Sequence, residues 1–71
     1  MELTNEEKIS IVLNNIVNIN KNHYNLELSL YQESAVNSPD SELILSLQNQ
    51  IADQVAKKDA LELKLKELDN G

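Results

Sequence analysis

The fold class this sequence predicts is all-α, a two-helix antiparallel hairpin, and three observations predict it. Ser38-Pro39-Asp40 is the single break near the midpoint of 71 otherwise helix-compatible residues. Proline fits the first turn of a helix but not its interior, and serine caps well just before it, so the triplet reads as the ordered start of a second helix. Apolar residues recur at heptad-like spacing on both sides of that break. Aromatic residues amount to 3%, Tyr24 and Tyr31 alone, so the core must be built from Ile, Leu, Val and Ala. The expected architecture is one domain over residues 1–71, a helix-turn-helix coiled coil with helix 1 at about 5–35, a turn at 36–38 and helix 2 at about 39–69. Two helices meeting along one seam bury little surface, and the chain has no cysteine to form disulfides. Assembly into a four-helix or larger bundle by oligomerisation is therefore expected.

Helix 1 starts with Thr4-Asn5-Glu6-Glu7, which matches a capping box, and its two acids sit near the positive end of the helix dipole. Its seam is Ile9, Val12, Ile16, Ile19, Leu26 and Leu30, with Leu13, Val17, Tyr24, Leu28, Tyr31 and Ala35 beside it. Together these span roughly 200°, about twice the stripe of a helix with one neighbour. The opposite arc carries Asn14, Asn15, Asn18, Asn22 and Asn25, poor helix formers that tertiary packing must hold in place. That amide stripe is either an ordinary solvated face or a neutral docking surface.

Helix 2 carries a main stripe of Leu43, Ile44, Leu47, Ile51, Val55, Leu61, Leu65 and Leu68, and ends at Asn70-Gly71, residues common at helix ends. A second strip, Leu45, Ala52, Ala56 and Leu63, lies well round the helix, and its alanines would let another backbone approach closely. Asp53 with Lys57 and Glu62 with Lys66 are i,i+4 pairs on an exposed face.

A turn centred near residues 37 and 38 places Tyr31 near Ile44, Tyr24 near Ile51 and Ile9 near Lys66. Asn20, His23 and Gln54 then fall at one level, and the expectation is a polar layer that fixes register and oligomer state.

Charge and composition exclude several functions. Twelve acids against six lysines and no arginine give a net charge of −6, so neither nucleic acid nor a membrane surface is expected as a partner. Lys57, Lys58, Lys64 and Lys66 form the basic cluster, but acids alternate with them. The longest apolar runs are three residues, and Met1-Glu2 opens the chain without a basic stretch, so neither a signal peptide nor a membrane span is expected and the localisation reads as cytoplasmic. A phosphate loop, a dinucleotide fingerprint and a nucleophile elbow all need glycines, whereas Gly71 is the sole glycine. His23 and Glu27 share a face at i,i+4, yet there is no second histidine. No catalytic, metal or cofactor site is expected.

The expected function is therefore a non-catalytic protein–protein interaction: an adaptor, assembly factor or small structural protein, homo-oligomeric with a dimer favoured, and presenting a surface to a further protein. The packing and interface residues are Ile9, Val12, Ile16, Ile19, Tyr24, Leu26, Leu30, Tyr31, Ile44, Leu47, Ile51, Val55, Leu61, Leu65 and Leu68. An acidic inhibitor mimicking nucleic acid is the alternative. Duplex DNA over the ~45 Å of such a helix carries about 26 charges, far more than this chain supplies. In outline alone the hairpin resembles small helical proteins such as phage tail-fibre assembly chaperones. No residue motif accompanies that likeness, so it assigns no residue a role.

Overall fold

Two helices, α1 (Asn5–Ser34) and α2 (Ser41–Asn70), make up nearly all of the computed structural model, which describes residues 2–70. They run antiparallel and pack against each other in a rod of 54 × 18 × 14 Å. Among the described residues there is no strand.

Both helix starts are closed by side chains. Thr4 Oγ1 accepts from the Glu7 amide at 3.1 Å, and Glu7 Oε1 accepts from the Thr4 amide at 3.0 Å. These reciprocal bonds satisfy two amides that a helix start otherwise leaves orphaned. At α2 the cap is Asp40, not Ser38. Its carboxylate Oδ1 accepts from Glu42 N at 3.0 Å and Leu43 N at 3.2 Å, while its carbonyl takes the first helical bond from Ile44 N. The helix thus begins two residues later than the sequence suggests, with Pro39 outside it. Asp and Ser cap about equally well, so the register between the helices makes the choice, and the Asp40 carboxylate gains in addition from the positive end of the dipole. The chain's far end, where Gly71 suggests a helix stop, lies outside the described residues; α2 continues to Asn70.

The turn is held from the α1 side. Ala35 stays in the helical region and donates to Gln32 O at 3.2 Å, and Glu33 Oε1 accepts from Asp40 N at 3.2 Å. The negative end of α1 has no basic residue in its last turn. Glu33 is therefore poorly placed for the dipole, but it is half-buried and ties the two helices together at the turn.

Residues shielded from solvent follow one rule. On α1 they are Ile9, Val12, Ile16, Ile19, His23, Leu26, Leu30 and Glu33; on α2 they are Ile44, Leu47, Ile51, Gln54, Lys58, Leu61, Leu65 and Leu68. Each series steps by three and four residues in strict alternation, the seam of a two-stranded coiled coil. Among the described residues Leu47 alone is buried, at 8% exposure, and the rest of the seam is half-buried. Matching the two series in antiparallel order sets Glu33 at the level of Ile44, Leu30 at Leu47, Leu26 at Ile51, His23 at Gln54, Ile19 at Lys58 and Ile9 at Leu68. This register is two residues away from the one expected from the turn position. The interlocking of inward side chains decides it, and the six residues from Ala35 to Asp40 accommodate it.

Three consequences are measurable. Loss of either cap, by Thr4→Ala or Asp40→Ala, is expected to cost about 1 kcal/mol in denaturant unfolding followed by circular dichroism. The amide and hydroxyl of Thr4 hold the Glu7 carboxyl below its ordinary value of 4.5. A depressed carboxyl contributes stability above the unfolded-state value and loses it as pH falls through the folded value. Glu7→Gln should therefore lower the thermal midpoint near neutral pH and converge with the wild type only in acid, once pH has fallen through the depressed folded value. In the seam, Lys58→Leu replaces a charge at an inward position opposite Ile19 and should add about 1 kcal/mol, raising the midpoint by about 4–8 °C. An unchanged midpoint would mean that Lys58 is not part of the packed interior.

Candidate interaction surface

The seam uses only one side of each helix, and the remaining residues divide the rod into two unlike broad faces. On one face a shallow groove is lined by Asn22, Asn25 and Ser29 of α1 with Gln50 and Gln54 of α2, above Leu26. Towards the turn a second groove is lined by Ser29, Gln32 and Glu33 with Leu43 and Leu47, closed by Val36. Both grooves draw on the same flank of each helix, so this face is the amide-rich one.

Several of its polar groups are spent locally. Ser29 Oγ donates to Asn25 O at 3.1 Å, Gln50 Nε2 to Ser46 Oγ at 3.2 Å, and Asn15 Nδ2 to Ile11 O at 2.8 Å. Bonds of this kind return side-chain donors to the helix that carries them and reduce what is free to recognise a partner.

The opposite flank is open and carries most of the large exposed apolar side chains, interspersed with polar residues such as Asn20 and Glu27. On α1 it carries Leu13, Val17, Tyr24 and Tyr31; on α2 it carries Leu45, Ala52, Val55 and Leu63. Tyr31 is 78% exposed, Leu63 62%, Tyr24 61% and Leu45 58%. A hollow along α1 on this side is lined by Val17, Asn20, Lys21 and Tyr24, with Asn25 at its edge. Rows form across the rod, Tyr31 beside Leu45, Tyr24 beside Ala52 and Leu13 beside Leu63, each about one residue from a common level in the seam register. The chain exposes 5529 Å² for 8.0 kDa, about 1,100 Å² more than a compact monomer of that mass.

Several sequence expectations change here. Tyr24, Tyr31 and Val55 lie outside the seam and take no part in packing α1 on α2, contrary to the helix-packing role expected of them. Asn20 is exposed on the apolar flank and does not join His23 and Gln54. The polar members of the seam are instead Glu33, His23, Gln54 and Lys58. Glu33 and Lys58 escape a search by hydrophobicity, although continuing the three-four alternation from Leu30 and from Gln54 reaches both. The ion pairs also differ from those expected: Lys58 Nζ lies 3.8 Å from Glu62 and Lys64 Nζ 3.6 Å from Glu67. Exposed pairs of this length contribute little.

His23 Nε2 lies 2.8 Å from Glu27 Oε1, so the histidine is held by a neighbour on its own helix. Among the described residues no three His, Cys, Asp or Glu side chains gather as a metal site, and no buried polar side-chain atom lacks a partner. No helix is long and apolar enough to cross a membrane. What the fold offers is surface, one face amide-rich and one apolar. Comparison with protein-family models, with curated proteins and with solved structures yields no match to this chain.

Proposed function

We propose that this protein is a non-catalytic interaction module, a helical hairpin that self-associates through its apolar face, as a dimer forming a four-helix bundle, and presents its amide-rich face to another protein. One observation carries the reading: with Leu47 the one buried residue among those described, large apolar side chains including Val17, Tyr24, Tyr31, Leu45 and Leu63 stand in water along one flank. Contiguous exposed apolar surface on that scale marks an association site. The area is sufficient. A face 54 Å long and 18 Å wide offers on the order of 1,000 Å², against about 800 Å² per partner in a stable complex. The absence from the sequence of apolar runs longer than three residues supports assigning that activity to the cytoplasm. An adaptor, assembly-factor or structural role fits such a module equally well.

Light scattering coupled to size-exclusion chromatography checks the reading. Wild type should elute at twice the 8.0 kDa protomer mass, and Val17→Glu combined with Leu63→Glu should halve that mass, because both side chains are exposed on the apolar face and neither belongs to the seam. A folded wild-type monomer at every concentration would contradict it.

A further inference from the structure

We propose that the second copy lies on the apolar face turned end for end, with a two-fold axis crossing the rod at the level of Tyr24 and Gln54. The inference rests on the homo-oligomer reading above and adds its geometry. A two-fold in the plane between two copies and perpendicular to the helices stacks each helix antiparallel on its own counterpart. Such a surface must be complementary to its own reversal about one level.

The apolar face has that property. On α1, Val17 and Tyr31 stand seven residues either side of Tyr24. On α2, Ala52 and Ala56 stand two residues either side of Gln54, and Leu45 and Leu63 nine either side. The two centres are independent in the sequence, yet they coincide in space. Gln54 shares a seam level with His23, one residue from Tyr24, an offset of about 1.5 Å. Under this axis Val17 meets Tyr31 of the second copy, Leu45 meets Leu63, and Ala52 meets Ala56, where small side chains let the backbones approach.

Two pairs of charges obey the same symmetry. Lys21 and Glu27 stand three residues either side of Tyr24, and Glu42 and Lys66 twelve either side of Gln54. End-for-end stacking therefore brings each lysine to a carboxylate of the second copy, and each pair occurs twice. Glu27 keeps one oxygen on His23 and has the other for Lys21. A two-fold running along the rod would instead set Lys21 at the level of Ala56 and Glu27 at the level of Gln50, neither of them a counter-charge.

Cross-linking decides between the arrangements, because the chain has no cysteine of its own. Tyr24→Cys, treated with a mild thiol oxidant such as diamide, should give a covalent dimer. An equimolar mixture of Val17→Cys with a tagged Tyr31→Cys should yield the mixed dimer at about tenfold or more the yield of either variant alone, whose own thiols lie about 21 Å apart. Reversal by Lys21→Glu should weaken the dimer about tenfold, and adding Glu27→Lys should restore it. Linkage of Tyr24→Cys to Ala52→Cys, with none of Tyr24→Cys to itself, would overturn the end-for-end arrangement and leave the homo-oligomer intact. A dimer by light scattering with neither linkage would overturn it as well. A wild-type monomer would remove both proposals.

Discussion

Packing between α1 and α2 runs through inward positions that alternate three and four residues apart, and every other feature of the molecule follows from that spacing. Because the alternation is strict over eight positions on each helix, only one antiparallel register matches both series. The turn then has to fit the register. Asp40 caps α2 where the register needs α2 to begin, and Glu33 reaches from the last turn of α1 to the Asp40 amide. A seam one side chain wide also explains why burial is so sparse. Leu47 faces Leu30 one layer from the turn and is the best covered residue of the seam, whereas the other layers stay half open.

The same constraint separates the two broad faces. Once the seam claims one side of each helix, the flanks fall together: the asparagine, serine and glutamine side chains of one flank line shared grooves, and the leucine, valine, alanine and tyrosine side chains of the other lie in rows. The rod is amphipathic as a unit, beyond the amphipathicity of either helix. That property gives the interaction reading its physical basis, since exposed apolar surface gathered on one flank marks a place for association. His23 illustrates the point. It sits in the seam beside Glu27, where its ring contributes to packing and its nitrogen to a local bond.

Much of the fold was legible in the sequence. Thr4 and Glu7 mark the α1 start without ambiguity because their side chains bond each other's backbone, a purely local event. The α2 start was harder, because Ser38 and Asp40 can both cap and Pro39 fits directly after Ser38; the choice depends on tertiary register. Apolar seam residues were legible from their spacing, while Glu33 and Lys58 were hidden by their charge and Asn20 was misplaced by a register two residues off. Tyr24 and Tyr31 show a further limit. They repeat at seven residues just as seam positions do, so periodicity groups them with apolar neighbours, and only the direction fixed by α2 puts them on the outer flank.

On the proposal above, the hairpin reaches its full stability only when its apolar flank is covered by another copy. The thermal midpoint followed by circular dichroism over a hundredfold range of protein concentration tests this most directly, because association adds stability by mass action and a lone hairpin gains none. A midpoint that climbs steadily with concentration is the expected result. A cooperative transition at one temperature throughout the range would show that the helices are self-sufficient and would contradict the claim.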